Sequence, residues 1–488
     1  MTYYQYVRSR ALLLPPSSTH VLLSRSAAPR TSTGCVPGAG NLSIAHMLIY
    51  PHSMSAFLTT YKVLLGLART ASPLVGPGSS KFAQGLAGRR SAHDKLARWG
   101  REQRDAARPT VWFHAPSVGE GLQALAVIEA LRERDPSVQI AFTHFSPSAV
   151  RLASQMSVDV AGYLPWDLPG PIAQVLDAMS PDLIVFTKTE VWPVLVDEAG
   201  RRGIEVALVA GTVAEGSSRL RPVVRAFLAQ SWHALKSACA VADADATRLR
   251  TLGVSKDALS VTGDPGIDSA AQRARAADPS APFLAPFLAD ARPTLVAGST
   301  WSADEDVLLP ALLGVREQVP DLRLILAPHE PKTGHVNVTC RRLAVDGWST
   351  ATLSDIELSG SVEGVDAVVV DRVGALTELY TVGRVAYVGG GFHGAGLHSV
   401  LEPAAARLPI LFGPRHHSAS AAADLIAAGG ARSIEGRNVM AEALLTWLTD
   451  DAKRDHAAQE AFGYIQAHLG AASRTAAALL KVLPSPSA

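Results

Sequence analysis

Between two apolar runs, Val385–Val388 and Pro409–Phe412, lies the stretch of this chain richest in groups that could do chemistry. It holds Gly389, Gly390 and Gly391, followed by His398, Ser399 and Glu402. The apolar runs read as buried parallel strands, with a helix resuming through Ala404–Ala406. Glycines let a backbone come close to a ligand, and a helix N-terminus offers unpaired N–H groups to phosphate. Glu402 falls near that helix start, where a carboxylate can accept two hydrogen bonds from a ribose diol. The combination points to a nucleotide-sugar site rather than a protein-binding surface. The competing reading is a glycine-rich strand-to-helix turn with an ordinary first-turn glutamate.

A second constellation, His114-Ala115-Pro116-Ser117-Val118-Gly119-Glu120-Gly121, sits where an earlier strand turns into its helix. Gly119, Gly121 and Ala124 satisfy a relaxed dinucleotide fingerprint. That reading needs an acid at the end of the next strand, which instead ends Thr143-His144-Phe145-Ser146. Glu120 would also put a negative charge inside the phosphate turn. Dinucleotide binding is therefore rejected. A carboxylate at a strand's C-terminal end, facing a cleft, is placed to take a proton from an attacking hydroxyl. Burial raises such a pKa, and a helix N-terminus opposes the rise. The plainer alternative is a first-turn glutamate stabilised by the helix dipole.

Three further strand ends aim at the same cleft. Lys188 and Glu190, in Thr187-Lys188-Thr189-Glu190-Val191-Trp192-Pro193, are read as holding each other or an acceptor phosphate, against a purely structural ion pair with Trp192 as core. Together with Ser117 they form the acceptor-binding set. Gly298-Ser299-Thr300-Trp301 is a small polar turn able to donate N–H groups to phosphate, or an ordinary helix cap. His329, after another strand, is a candidate for phosphate or base only through its company. His416-His417 are adjacent loop residues, which rarely chelate together, so no metal is expected.

The elements that must position these groups follow an α/β rhythm. Strands are expected at Val111–Ala115, Val138–Thr143, Leu183–Thr187, Glu205–Val209, Ala238–Ala242 and Leu259–Thr262, with helices at Leu122–Arg134, Pro147–Met156 and Val194–Arg202. A second series comprises Thr294–Ala297, Leu322–Leu326, Ala367–Val370, Val385–Val388 and Pro409–Phe412. The Ala/Pro/Arg-rich stretch Ala271–Pro293 between them reads as a linker. Strands alternating with helices imply two doubly wound parallel sheets, with ligands at the strands' C-terminal ends. The expected layout is a leader over 1–46, a basic amphipathic segment over 47–109 and an acceptor domain over 110–275. A linker over 276–293 and a donor domain over 294–488 complete it.

With 488 residues, 48% of them hydrophobic, the chain has ample material for two or three cores. Its net charge of +1 hides an asymmetry, because residues 1–110 carry 14 Lys/Arg against 3 Asp/Glu. A basic N-terminal end on an otherwise acidic protein suggests an anionic partner such as phospholipid or phosphorylated glycolipid; nothing implies nucleic acid. Residues 1–46 lack Asp and Glu and read as a disordered or targeting-like leader, with Met47 or Met54 as alternative starts. Ser55–Val75 is too short and too charged to span a bilayer but suits its interface, and the basic residues Lys81, Arg89, Arg90, Lys95, Arg98 and Arg101 follow it. The compatible alternative is a helix packed on the first domain. Cys35, Cys239 and Cys340 are too few and too scattered for a disulfide framework, which implies a reducing compartment.

Eight ordered segments carry a resemblance. They are HAPSVGE (114–120), FSPSA (145–149), YLPWDLP (163–169), TEVWP (189–193), AGSTW (297–301), APHEP (327–331), DRVGALTELY (371–380) and VGGGFHGAGLHSVLEPAA (388–405). From about Met54 to Gly470 the chain resembles the 3-deoxy-D-manno-octulosonic acid (Kdo) transferases of lipopolysaccharide synthesis. The resemblance implies a GT-B fold, two Rossmann-like domains facing across a cleft. It also implies transfer of Kdo from CMP-Kdo to a lipid A precursor with inversion, at the cytoplasmic face of the inner membrane. Glu120 would be the general base. Ser299, Thr300, His329, Gly389–Gly391, His398, Ser399 and Glu402 would cradle the donor, with no metal or other cofactor. The family's basic residue in a GNxKFD-like segment is missing here, where the chain reads Gly263-Asp264-Pro265-Gly266-Ile267-Asp268, leaving Lys256 or Arg273 to supply that contact. Ser399 stands where Asn is usual, Pro328 stands where Arg is often found, and Thr212–Leu220 matches the family's acceptor segment poorly.

Overall fold

The computed structural model describes residues 44–74, 78, 80–417 and 419–484; the expected leader lies outside them as far as residue 43. From Phe57 onward the chain forms one compact unit, built on fourteen parallel strands. The first seven are β1 (Thr110–His114), β2 (Gln139–His144), β3 (Val160–Tyr163), β4 (Leu183–Thr187), β5 (Glu205–Gly211), β6 (Leu235–Ala240) and β7 (Leu259–Val261). The second seven are β8 (Thr294–Thr300), β9 (Arg323–Pro328), β10 (Thr350–Thr352), β11 (Ala367–Val369), β12 (Val385–Val388), β13 (Ile410–Phe412) and β14 (Ala431–Ser433). They make two seven-stranded sheets, ordered β3-β2-β1-β4-β5-β6-β7 and β10-β11-β9-β8-β12-β13-β14. These are the two doubly wound sheets the strand rhythm implies.

The apolar runs exist because both faces of each sheet are covered. Trp112, Ile184, Phe186 and Leu208 face one helix layer, while Val111, Phe113, Val185 and Val209, one residue out of phase, face the other. In each sheet the strand order reverses once, between β1 and β4 and between β8 and β12. Connections leave in opposite directions there, so the loops after these strands part and open a crevice. Glu120 and Lys188 follow the first pair; Trp301 and the glycine run follow the second.

Three features differ from the expected layout. Part of the presumed linker is ordered: Pro265–Arg275 and Ala285–Ala289 are helices, and Leu284 and Phe287 are buried against the second sheet. The helix Ala471–Leu480 returns to the first sheet, where Ala472, Ala476 and Leu479 share a core with Val111 and Phe113. Asp268 ties down its start by accepting the amides of Gly470 and Ala472 at 2.7 and 2.9 Å.

The basic N-terminal segment is also divided in role. A helix runs from Ile44 to Ala71, and side chains are described from Leu58 onward. Tyr61 donates to buried Asp167 at 2.9 Å and Lys62 pairs with Asp197 at 3.6 Å, while Val63, Leu64 and Leu67 are 55, 62 and 62% exposed. Leu96 and Trp99, in the helix Ala92–Glu102, are core. Arg89, expected to face headgroups, is instead 7% exposed, with its guanidinium 3.8 Å from the Phe145 ring centroid and close to Trp166 and Trp192. Burial lowers its pKa to about 10, so it stays charged at neutral pH. Among the described residues no helix is long and apolar enough to cross a membrane.

Candidate active site

The helix Val118–Arg134 begins directly after β1, which puts Glu120 in its first turn. Lys188 Nζ donates to Glu120 Oε1 at 3.1 Å, and the Ser117 hydroxyl donates to Oε2. Burial pushes the Glu120 carboxyl up, but the Lys188 ammonium and the Ser117 hydroxyl outweigh it and hold the pKa below the ordinary range. The group is therefore ionised at neutral pH, as a proton acceptor must be. Lys188 makes this contact from a left-handed backbone conformation (φ 66°) that non-glycine residues seldom adopt. Such strain concentrates at functional sites.

The expected pairing of Lys188 with Glu190 is not what forms. Lys188 turns to Glu120, and Glu190 accepts from Arg219 NH2 at 2.9 Å. Arg219 was missed because its segment matches no family pattern; what brings it in is the turn after β5 folding back over the strand ends. A sign-defined consequence follows for Lys188→Met. With its counter-charge gone, the Glu120 pKa rises, and the acid limb of a kcat/KM pH profile moves towards neutrality. Stability follows the same linkage. Glu120 has a depressed folded pKa, so its contribution is present above the unfolded value and lost as pH falls through the folded one. The variant loses that increment, and its unfolding midpoint measured against pH shows a shallower acid decline.

In the second sheet the glycines serve a different purpose from the one expected. A Cβ on Gly389 would lie 2.3 Å from the Ser299 carbonyl oxygen, and one on Gly391 would lie 2.4 Å from the Gly413 amide. Gly390 has φ 96°. All three are buried, and the amides of Gly389 and Gly390 are already donated, to Gly298 O and Asp304 Oδ2. The run lets three backbone segments cross tightly; it does not lay these two amides open to a ligand. Thr300 is likewise fully buried, its hydroxyl donated to Glu305 at 3.0 Å. Ser299 stands at the strand end with φ 56°.

The organiser of this crossing, absent from the sequence expectations, is Asp304. Fully buried, it accepts Tyr387 Oη and the Phe392 amide on Oδ1, and the amides of Trp301 and Gly390 on Oδ2. It thereby holds the loop after β12 against the turn after β8. Above that joint lies an aromatic group. Trp301 stacks on His393 (centroids 4.0 Å apart, 4° between planes) and on His329 (4.6 Å, 21°), while His329 stacks on His398 (4.3 Å). Burial, reinforced by His398 and Lys81, lowers the His329 pKa to about 4; burial likewise lowers that of His398. Both imidazoles are neutral at pH 7, so they offer hydrogen bonds and ring faces to a ligand but not positive charge.

Positive charge comes from Arg273, on the helix Pro265–Arg275. It donates to Glu402 Oε1 at 2.7 Å and to Thr377 at 2.9 Å. Among the described residues Glu402 Oε2 has no hydrogen-bond partner, while the exposed Ser399 accepts the Leu401 amide through its hydroxyl. Lys256, the other residue considered for the missing contact, is exposed on a short 3-10 turn. The same helix links the two constellations. Gln123 donates to Asp264 at 2.8 Å, and Gly266 lies between Gln123 and Leu401. The helices that carry Glu120 and Glu402 therefore both pack against the start of the helix Pro265–Arg275. Among the described residues, no three His, Cys, Asp or Glu side chains cluster in a way that could hold a metal ion.

The profile of the 3-deoxy-D-manno-octulosonic-acid transferase (kdotransferase) family matches residues 92–269. Its relatives include the 3-deoxy-D-manno-octulosonic acid transferases of Bordetella pertussis, 28% identical over 400 residues covering 78% of this chain and 90% of that protein, and of Haemophilus influenzae, 27% identical over 307 residues covering 62% and 70%. Among solved structures, a putative UDP-N-acetylglucosamine 2-epimerase from Listeria monocytogenes superposes with a TM-score of 0.56 at 14% identity, covering 78% of this chain and 99% of that one. That likeness shows the two-sheet GT-B-like fold alone. Fold and relatives together define a glycosyltransferase. Within that class, residues 92–269 match the Kdo transferase domain, and the chain is similar to Kdo transferases along most of its length.

Proposed function

We propose that the protein transfers Kdo from CMP-Kdo to a hydroxyl of a lipid A precursor, with inversion at the anomeric carbon. The observation that carries this reading is Glu120, held ionised by Lys188 and Ser117 at the strand ends of the first sheet, on the helix that Gln123 ties to the start of the Arg273-bearing helix. The acceptor hydroxyl displaces half-exposed Lys188 from Oε1. Its oxygen attacks the anomeric carbon as its proton passes to Glu120, and the bond from that carbon to the CMP phosphate oxygen breaks. Glu402 Oε2 is free to accept from the ribose diol, with Arg273 fixing the carboxylate. Neutral His329 and His398 supply the departing phosphate with N–H donors, whose aim matters more than their number. CMP leaves readily, so the displacement is proposed to need no metal ion.

Incubation with labelled CMP-Kdo and tetraacyl lipid A precursor, with and without a chelator, tests this reading. The expected result is label in the lipid fraction in both cases. Binding of UDP in preference to CMP, with no transfer, would replace it with another nucleotide-sugar chemistry.

The enzyme is further proposed to work at the cytoplasmic face of the inner membrane. Val63, Leu64 and Leu67, at helical spacing, form an exposed apolar stripe, with Leu74 and Phe82 also exposed nearby in sequence. Leu64→Glu with Leu67→Glu is expected to cut co-sedimentation with anionic vesicles by about tenfold or more, since two buried side chains of this size are worth ~1.5–3 kcal/mol each. Unfolding in urea should be unchanged.

A further inference from the structure

We propose that Trp301 is a positioning residue that fixes the tautomer of His398, so that this imidazole presents its N–H at Nδ1 to the departing phosphate of the donor. The inference rests on the transfer reading above for the identity of the ligand, but its tautomer part does not.

An indole nitrogen can only donate a hydrogen bond. Trp301 Nε1 donates to His398 Nε2 at 3.1 Å, and the two ring planes are within 9° of parallel. Nε2 must therefore be unprotonated. The ring is neutral, because burial disfavours its charged form. Its single proton is then on Nδ1, which has no hydrogen-bond partner among the described residues. In an unconstrained histidine the two neutral tautomers exchange freely, and the choice between them is set by the bond the other nitrogen makes.

Trp301 is itself fixed in three ways. Its backbone amide donates to Asp304 Oδ2 at 2.9 Å, His393 stacks on its ring, and His329 covers both the indole and His398. His398 is fixed from the other side, its amide donating to Gly389 O at 3.1 Å. The buried carboxylate thus sets the indole, and the indole sets which imidazole nitrogen carries the proton. A phosphate accepts only from N–H, so the wrong tautomer would turn a donor into a repelling lone pair.

Nitrogen-15 spectra of histidine-labelled protein, with His398 assigned by loss of its signals in His398→Gln, test the tautomer directly. The expected result is a protonated Nδ1 and an unprotonated Nε2, with the Nδ1 signal moving when CMP is added. Trp301→Phe keeps a stacking ring and removes the N–H. It should give mixed tautomers and lower kcat by ~10-fold, with a smaller change in donor KM, as for other residues that orient a functional histidine. Trp301→His, which restores a ring N–H, should recover part of kcat. A wild-type spectrum with the proton on Nε2 would overturn the proposal, as would Trp301→Phe with an unchanged kcat. If wild type transfers no Kdo, the transfer reading fails, yet the spectrum and its response to CMP still decide the role of Trp301, even where Trp301→Phe does not fold.

Discussion

Glu120→Gln is expected to lower kcat for Kdo transfer by about 10²–10⁴-fold, the range that a positioned general base supplies. The amide keeps the size of the carboxylate; its oxygen can still accept from Lys188 and its NH2 can donate to the Ser117 hydroxyl, so the crevice should keep its shape. What it cannot do is take the proton of the attacking hydroxyl. CMP binding should be unchanged, because Glu120 follows the first sheet while the donor candidates follow the second. Single-turnover transfer and calorimetric CMP titration on the same preparation separate the two effects. A variant that binds CMP normally and transfers at the wild-type rate would remove Glu120 from the chemistry and leave it as a first-turn helix glutamate. A variant that loses CMP binding as well would mean that the two constellations are coupled far more tightly than the Gln123–Asp264 contact implies.

Asp304→Ala is expected to be the most damaging change outside the reacting groups. Removal of the carboxylate orphans a buried hydroxyl and three backbone amides. Each unsatisfied buried donor costs ~1–3 kcal/mol. With relaxation of the loop, a total on the order of 3–5 kcal/mol is expected, at the upper end for a single substitution. The loss should be local as well as global. Urea unfolding should shift to a lower midpoint, and hydrogen exchange should accelerate across Gly389–His398 before it does in β8 or β9. CMP affinity should fall with it, since Trp301 and His398 both take their positions from this joint. Tyr387→Phe, which removes one donor and leaves no orphan acceptor uncompensated by the amides, should cost about 1 kcal/mol or less. Equal exchange in wild type and Asp304→Ala would show that the loop is held by its own glycine packing instead.

How much of this was legible in the chain depends on where each element sits. Central strands were readable because both faces are buried: Leu183–Thr187 and Val385–Val388 are continuous apolar runs, and their expected limits coincide with β4 and β12. The edge strands β3, β10 and β14 read Val-Ala-Gly-Tyr, Thr-Ala-Thr and Ala-Arg-Ser. Half-exposed and short, they carry no run to find. In the site, residue type pointed correctly to strand ends but not to partners. Nothing local says that Lys188 reaches back 68 positions to Glu120 while Arg219 takes Glu190. Glycine was the most ambiguous signal, since close approach to a ligand and close approach to another backbone leave the same mark. Asp304 carries no mark in the sequence, where it is one of three consecutive acids, Asp304-Glu305-Asp306; only the folded loop reveals what it gathers.

The return of the helix Ala471–Leu480 to the first sheet bears on how the polypeptide is made. A ribosome that has delivered β1 to β7 has delivered a sheet with one flank only partly covered, by the helix Val118–Arg134, and some 200 further residues emerge before the helix Ala471–Leu480 completes that layer. Until then the uncovered part of that flank is an exposed apolar surface beside a nascent partner, which is a natural point for chaperone binding or misassociation. The second sheet owns its core within contiguous chain and can close first. Assembly of this protein is therefore not strictly vectorial: the part synthesised earliest is finished last.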